Sequence, residues 1–241
     1  MNTIFFDLDG TLLPMDLDEF IQKYFGYIVE TMYKNGRDGK MILNAILKGV
    51  ENIIKNDGTM TNEQKFWQTF TAITNIPQED IEPEFNKFYE EVFDKIDTGA
   101  QSANMIEAVK VLKQKGYTLY LTTSPLFPAI ATQKRMKWAG LDKEDFELVT
   151  TYENSSYCKP NPNYYQEVIT KHNLDAKNIL MVGNDVKEDG AIQQLGVDLY
   201  LVDDFLLNKY NLEINCKYRS NSEQFLNFVK QLPCIEQKIG S

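Results

Sequence analysis

The chain opens with the stretch Met1-Asn2-Thr3-Ile4-Phe5-Phe6-Asp7-Leu8-Asp9-Gly10-Thr11-Leu12-Leu13-Pro14. Its β-branched and aromatic run, Thr3–Phe6, predicts a buried strand. Asp7 and Asp9 follow, and in extended backbone two residues so spaced point to the same side. Two carboxylates at the end of a buried strand are costly unless a cation or hydrogen-bond donors compensate them. Gly10 then permits a sharp turn or a close approach to a ligand. We expect a functional site here rather than an ordinary Asp-Gly turn, because partners for these acids follow later in the chain.

Composition excludes several classes of protein. The 241 residues are 43% hydrophobic, enough for a sizeable core, and the formal net charge of -10 argues against a nucleic-acid binder. The three cysteines, Cys158, Cys216 and Cys234, are odd in number and widely spaced, so they indicate neither a disulfide framework nor a zinc cluster. The sequence begins with no charged leader and contains no long apolar run. We therefore expect a cytoplasmic protein without membrane contact.

The single histidine restricts the chemistry further. His172 has polar neighbours typical of an exposed helix end. Ser-His-Asp and Cys-His hydrolases need a histidine base beside the nucleophile, and His-rich metal sites need several histidines. Catalysis by this chain would therefore depend on carboxylates, hydroxyls, lysine and a hard metal ion.

Residues 16–97 have a helical pattern throughout, and we call this segment the helical insert. One helical face carries six apolar residues: Ile42, Ala45, Ile46, Val50, Ile53 and Ile54. Thr61 and Gln64 have capping-box spacing, and Pro83 precedes a further aromatic stripe at 3.6-residue spacing. Such stripes are typical of helix packing. The pattern predicts a separate all-helical domain inserted into a domain made of residues 1–15 and 98–241.

After the insert, strand and helix patterns alternate. We predict helices at 104–115, 129–139, 162–172 and 191–195, strands at 117–122, 146–150, 178–182 and 198–202, and a peripheral strand and helix after residue 208. Such alternation is typical of an α/β fold with a parallel sheet covered on both faces. Ligands of these sheets bind beyond the carboxyl ends of the strands.

Polar residues follow each predicted strand near this edge. After Asp7 and Asp9 come Thr123 and Ser124 behind the second strand, then Lys159 in Cys158-Lys159-Pro160. The fourth strand ends in Gly183-Asn184-Asp185, with Glu188 and Asp189 shortly after it. Each signal alone is weak, but together they predict one pocket.

The order of these motifs resembles the haloacid dehalogenase-like (HAD) phosphohydrolase superfamily. The segment from Asp7 to Leu12 matches its first motif, Thr123 the second and Lys159 the third, and Gly183 to Asp185 with Glu188 and Asp189 matches the acidic fourth. The resemblance implies a Rossmann-like parallel sheet core, with the helical insert in the position of a C1-type cap. A cap joined to the core near Pro14 and Gly99 could hinge there.

The residues suit phosphomonoester chemistry. Asp7 would attack phosphorus as the nucleophile and form an aspartyl-phosphate. Asp9 would protonate the leaving alcohol and then activate the hydrolytic water. Thr123, Ser124 and Lys159 would hold the phosphate and balance its charge. The resemblance implies the same roles for Asp7, Asp9, Thr123 and Lys159, and a small phosphorylated metabolite as the substrate.

A Mg²⁺ ion would neutralise charge between Asp7 and the phosphate, and magnesium prefers oxygen ligands. The resemblance also implies that the backbone carbonyl of Asp9 reaches the metal. Many superfamily members have Gly-Asp where this chain has Gly183-Asn184, so either Asn184 or Asp185 could be the ligand; charge favours Asp185. Glu188 and Asp189 would bind the metal's water shell, or else simply lie at a helix N-terminus.

Alternatives remain at this point. A phosphomutase uses the same acids and differs in retaining the phosphoryl group. A non-catalytic phosphate-binding module is disfavoured, because Asp7, Asp9, Thr123 and Lys159 are all present. A dehalogenase has no use for an acid/base such as Asp9. The sequence specifies neither the substrate nor the oligomeric state.

Overall fold

A computed structural model describes residues 1–235 of the chain. Its centre is a six-stranded, fully parallel sheet with the order β3-β2-β1-β4-β5-β6. The strands are β1 Thr3–Phe6, β2 Thr118–Leu121, β3 Leu148–Val149, β4 Ile179–Gly183, β5 Asp198–Val202 and β6 Tyr218–Ser220. Strand β1 pairs with β2 on one side and with β4 on the other. The prediction of a parallel sheet is confirmed.

The sheet is covered on both faces. Successive apolar side chains of β1 point to opposite faces of the sheet, so each face needs packing partners. Phe6 packs on one face in a core that includes helices α5 (Ala103–Gln114), α6 (Ala129–Trp138) and α8 (Ser222–Gln231). Phe5 points to the other face, where helix α7 (Pro162–Lys171) packs. Ile4, Phe5 and Phe6 of β1 are apolar and buried, and the acids begin only beyond the carboxyl end of the strand.

The helical insert contains α1 Leu17–Lys34, α2 Gly39–Ile54, α3 Asn62–Thr74 and α4 Gln78–Glu91, followed by a 3₁₀ turn at Phe93–Ile96. The capping box of Thr61 and Gln64 is present and begins α3. Ile42, Ile46 and Ile53 are buried on α2, as their spacing predicts. Within residues 1–235, no helix combines the length and the apolar character needed to cross a membrane.

Two local predictions, the burial of Ile54 and the exposure of His172, are wrong, and two predicted helices have features that their patterns did not specify. Ile54 is 45% exposed at the end of α2, where the apolar face no longer has a partner. Helix α4 begins before Pro83; this proline and Glu79 are exposed, so water can bind the carbonyl left without an N–H. The segment Gly190–Leu195 is a 3₁₀ helix, too short for stable α-helical turns. His172 is half-buried, edge-on to Tyr120.

Candidate active site

The loop after β1 places the first two acids. Pairing with β4 continues for one residue, because the Asp7 amide donates to the Val182 carbonyl at 2.9 Å. The chain then turns at Gly10, whose φ is +81° and whose missing Cβ would lie 2.2 Å from Asn184 Nδ2. Only glycine satisfies both the conformation and the close approach. Asp7 is buried at the end of β1, and the turn at Gly10 follows directly after Asp9.

Lys159 lies between two carboxylates. Its Nζ donates to Asp7 Oδ1 at 2.8 Å and to Asp189 Oδ1 at 2.7 Å, and all three side chains are buried. Burial alone would lower the pKa of Lys159, but Asp189 and Asp7 raise it well above its ordinary value. The lysine is therefore a fixed positive charge beside Asp7.

Burial has the opposite effect on the pKa of Asp7. The pKa of Asp7 is raised to about 8, mainly by desolvation and also by the nearby charges of Asp189 and Asp9, while Lys159 opposes the rise. One lysine shared by two carboxylates does not fully compensate them. A further positive charge beside Asp7 would favour its ionised, nucleophilic form.

Asp189 orients Lys159 and also closes the turn after β4. Its Oδ2 accepts hydrogen bonds from the backbone amides of Asn184 and Asp185, both at 2.9 Å. Gly183 permits this approach, since a Cβ there would lie 2.1 Å from Asp189 Oδ2. The carboxylate is thus satisfied by the protein on both oxygens.

The residues after β2 lie beside the same edge. The Thr122 amide donates to the Phe6 carbonyl at 2.7 Å, so Thr123 begins its loop next to the end of β1. The Thr123 carbonyl accepts from the Tyr164 hydroxyl at 2.8 Å. Ser124 Oγ donates to Glu188 Oε2 at 2.7 Å. This last bond joins the second predicted motif to the fourth.

Arg135 is a site residue that the sequence reasoning missed. It comes from α6, is 1% exposed, and donates from Nη1 to Asp9 Oδ2. Its guanidinium also lies 4.5 Å from the ring centroid of Phe127, at cation–π distance. Asp9 Oδ1 is buried and has no hydrogen-bond partner among the described residues. No local pattern marked Arg135, which follows Gln133 and Lys134 in a polar run of α6.

Asn184 and Asp185 have different surroundings. The Asn184 side chain is fully engaged: its Oδ1 accepts from Thr11 Oγ1 at 3.1 Å and its Nδ2 donates to the Phe205 carbonyl at 2.7 Å. Asp185 Oδ1 accepts the amides of Lys187 and Glu188. Asp185 Oδ2 accepts no hydrogen bond from residues 1–235, which leaves a carboxylate oxygen available to a ligand.

The donor set suits a metal that takes mixed oxygen ligands. In residues 1–235, no three Asp, Glu, His or Cys side chains gather around one point, so a site made of such side chains alone is absent there. The site nevertheless carries excess negative charge, because Lys159 and Arg135 are outnumbered by its acids. These acids are Asp7, Asp9, Asp185, Glu188 and Asp189. A divalent cation bound by Asp7, a backbone carbonyl and Asp185 would offset this charge.

The helical insert is fastened to this edge by Asn62, which is fully buried. Its Nδ2 donates to the carbonyls of Tyr157 at 3.0 Å and Pro125 at 3.3 Å. The Asn62 backbone amide donates to the Ser155 carbonyl at 2.8 Å. The Asn62 Oδ1 accepts a hydrogen bond from Asn56 Nδ2 at 2.8 Å. Besides the two chain connections, the insert therefore has a third attachment, on the loops that carry Thr123 and Lys159.

The chain is similar to several known proteins. A family model described as haloacid dehalogenase-like hydrolase matches residues 1–196. The pyrophosphatase PpaX of Bacillus cereus is 24% identical over 184 residues, which cover 76% of this chain and 74% of that protein.

Solved structures share the fold. A HAD phosphatase from Thermococcus onnurineus aligns with a TM-score of 0.60 and 17% identity over 98% of this chain and 100% of its own. A Thermotoga maritima protein described as a β-phosphoglucomutase aligns with a TM-score of 0.58 and 18% identity. The alignment covers 96% of this chain and 100% of that protein. YfnB of Bacillus subtilis, described as a HAD hydrolase and bound to magnesium, aligns with a TM-score of 0.58 and 17% identity. The alignment covers 95% of this chain and 98% of YfnB. At these identities, the likeness concerns the fold.

Proposed function

Because the chain belongs to the haloacid dehalogenase-like hydrolase family, we propose that it hydrolyses a small phosphorylated metabolite through an aspartyl-phosphate on Asp7. The observation that supports this most is the contact of Asp7 with Lys159, which Asp189 holds from the other side. A lysine fixed in this way faces both the nucleophile and the phosphate that approaches it. Asp9, two residues further along, supplies the second carboxylate that the reaction needs.

The reaction has two displacements at phosphorus. Asp7 forms an oxygen–phosphorus bond while the bond to the leaving alkoxide breaks, and Asp9 gives the alkoxide a proton. A water molecule then attacks the phosphorus, Asp9 removes its proton, and Asp7 is released with free phosphate. We assign the proton to Asp9 Oδ1, because Arg135 occupies Oδ2.

The phosphate oxygens are held by the residues that surround Asp7. Thr123 provides a hydroxyl donor and Ser124 a backbone donor, since the Ser124 hydroxyl donates to Glu188. Lys159 offsets the charge that accumulates during the displacement. Ser124 gains its position from Glu188, so this acid supports phosphate binding indirectly. Asp189 serves as the orienting partner of Lys159.

A magnesium ion completes the proposed site. When bound, Mg²⁺ neutralises the phosphate charge as a Lewis acid. We assign its protein ligands to the Asp7 carboxylate, the Asp9 carbonyl and Asp185, with Asn184 as the alternative to Asp185; Asp189 would lie outside the inner ligands. The raised pKa of Asp7 supports the need for this cation, and the magnesium-bound YfnB has the same fold.

We also propose that residues 16–97 form a cap domain over a core made of residues 1–15 and 98–241. Its four helices lie between β1 and the rest of the sheet in sequence. The contacts of Asn62 with the loops around Pro125 and Tyr157 support a role in covering the site. They also add a contact that any opening about Pro14 and Gly99 must break.

A phosphatase assay separates this proposal from its rivals. The purified protein, with Mg²⁺, is given a panel of sugar phosphates, alkyl phosphates and inorganic pyrophosphate, and free phosphate is measured. The pyrophosphate arm follows from the PpaX relative. Release of phosphate supports the proposal. Conversion of one sugar phosphate into its isomer without release would favour a phosphomutase, the activity ascribed to the Thermotoga protein. Failure of the whole panel, with halide release from a 2-haloacid instead, would refute it.

A further inference from the structure

The peptide unit between Thr123 and Ser124 is held by two buried hydroxyl groups. Its oxygen, the Thr123 carbonyl, lies 2.8 Å from the Tyr164 hydroxyl and 2.9 Å from Thr150 Oγ1. The two hydroxyl oxygens are themselves 2.8 Å apart, and both side chains are buried. Three polar atoms therefore form a closed triangle in the interior, next to the residues proposed to hold phosphate.

The protons of this triangle can be assigned. Each hydroxyl has one proton, and a carbonyl oxygen can only accept. Burial raises the pKa of Tyr164 above its ordinary value, so the phenol keeps its proton at physiological pH and donates it to the Thr123 carbonyl. Thr150 can donate to the phenol oxygen, to the same carbonyl or, at 3.2 Å, to the Leu121 carbonyl. Each choice leaves the donation from Tyr164 in place.

The two hydroxyls come from different elements of the fold. Thr150 directly follows β3, and its amide donates to the Leu121 carbonyl at 2.9 Å, which extends the pairing of β3 with β2 by one residue. Tyr164 lies in the first turn of α7, which begins shortly after Lys159. The triangle thus joins the loop that carries Thr123 to the segment that carries Lys159.

The position of the carbonyl fixes the direction of the Ser124 N–H. The bond between Thr123 and Ser124 is trans, and in a planar trans peptide the C=O and the following N–H point in opposite directions. Because the carbonyl faces the buried hydroxyls, the N–H faces away from them. Within residues 1–235 this N–H has no acceptor, whereas the Ser124 hydroxyl donates to Glu188. The N–H is therefore the donor that Ser124 has available.

We propose that Tyr164 and Thr150 are positioning residues that hold the Thr123 carbonyl and so aim the Ser124 N–H at the phosphate oxygens. The assignment rests on the proposed function, in which Ser124 is a backbone donor to phosphate. A donor that is fixed before the substrate arrives needs no reorganisation during the reaction. Since either hydroxyl can donate when the other is absent, removing both should cost more than the two single losses combined.

The first arm of the test measures the carbonyl directly by NMR in Tyr164→Phe, Thr150→Val and the double variant. The Thr123 carbonyl and the Ser124 amide give one HNCO cross-peak, and the ¹³C shift of a carbonyl reports whether it accepts a hydrogen bond. Each single variant keeps one donor, so a small change is expected. The double variant is expected to move upfield by more than the sum of the single changes.

The second arm measures the affinity for inorganic phosphate with Mg²⁺ present, followed by the Ser124 amide proton. Each single variant is expected to raise the dissociation constant about twofold, and the double variant at least about tenfold. Combining Tyr164→Phe with Thr150→Ser restores one hydroxyl and should restore affinity, a rescue that a packing role does not predict. If the double variant does not fold, the twofold loss in folded Tyr164→Phe decides the question.

The control is Tyr200→Phe, which removes a phenol that lies 2.6 Å from Ser220 Oγ, outside the triangle. It is expected to change neither the Thr123 carbonyl shift nor the affinity for phosphate. An unchanged carbonyl shift in the double variant, or unchanged affinity despite a moved shift, would refute the positioning role alone. A wild-type protein that binds no phosphate would contradict the proposed function, and the positioning role with it.

Discussion

Arg135 and Asp9 form an ion pair across 126 residues of sequence, joining helix α6 to the loop after β1. The arginine is almost fully buried, whereas the Asp9 side chain retains 18% of its exposure. Arg135 thus binds Asp9 Oδ2, while Asp9 Oδ1 has no hydrogen-bond partner among the described residues. The ion pair ties the geometry of a proposed proton-transfer group to the packing of α6 against Phe127.

Replacing Arg135 with methionine should destabilise the fold. The variant leaves the Asp9 carboxylate without its cation, and breaking a buried pair from one side costs roughly 3 kcal/mol. Urea denaturation of Arg135→Met should show this loss in the free energy of unfolding. Lys137→Met, an exposed change on the same helix, is the control. Equal stability of the two variants would mean that the ion pair contributes nothing to the fold.

Asp7→Asn should abolish turnover. The amide cannot act as a nucleophile, and we expect phosphate release to fall by at least about 10³-fold. The fold should persist, since the change is nearly isosteric and Lys159 keeps its contact with Asp189. Circular dichroism of the purified variant checks the fold. Ordinary activity in a folded Asp7→Asn protein would eliminate the mechanism.

Asp9→Asn should affect poor leaving groups most. An alkyl alkoxide needs a proton from the acid as it departs, whereas an aryl oxide is stable without one. Single-turnover rates of phosphoryl transfer should therefore fall more for an alkyl phosphate than for an aryl phosphate. Arg135 can still donate to the amide oxygen of the variant, so the local structure should be retained. Equal losses for the two esters would assign Asp9 a structural role.

Asn62→Ala should loosen the loops on both sides of the site. Two hydrogen bonds to the Pro125 and Tyr157 carbonyls disappear, at a cost of about 1–3 kcal/mol. We expect faster amide hydrogen exchange in these loops and a kcat lower by about tenfold. Asn44→Ala, an exposed change on α2, is the matched control. Unchanged exchange in the loops would show that the attachment does not order them.

The magnesium assignment is testable through Asp185 and Asn184. Asp185 has a free carboxylate oxygen, while both polar atoms of the Asn184 amide are already bonded. Asp185→Ala should therefore raise the Mg²⁺ concentration for half-maximal activity far more than Asn184→Ala does. The reverse ranking, or a metal-bound structure with Asn184 as the ligand, would show that the amide replaces the family's aspartate.

The strand ends were predictable because they depend on local patterns. The apolar run Thr3–Phe6 and the acids behind it are visible in one short window, and parallel pairing then brings the ends of β1, β2 and β4 together. The capping box at Thr61 is equally local. Contacts made within a few residues leave a signature in sequence.

Arg135 and Asn62 were not predictable, because their roles arise from packing between distant segments. Arg135 lies in a polar run that resembles an exposed helix face, yet it is buried against Asp9. Asn62 follows a helix cap, and its contacts with Pro125 and Tyr157 depend on how the insert sits on the sheet. The exposed Ile54 shows the converse, since an apolar pattern continued past the point where the packing ended.

The position of β1 has a consequence for biosynthesis. The strand is made before both of its neighbours in the sheet, which are residues 118–121 and 179–182. The apolar segment Thr3–Phe6 therefore has no partner strand until residues 118–121 have been made, and unpaired strands are prone to aggregate in that period. Asp7, the proposed nucleophile, acquires its surroundings only after Lys159 and Asp189 have been made. A chain truncated before β4 would leave one edge of β1 without its partner strand.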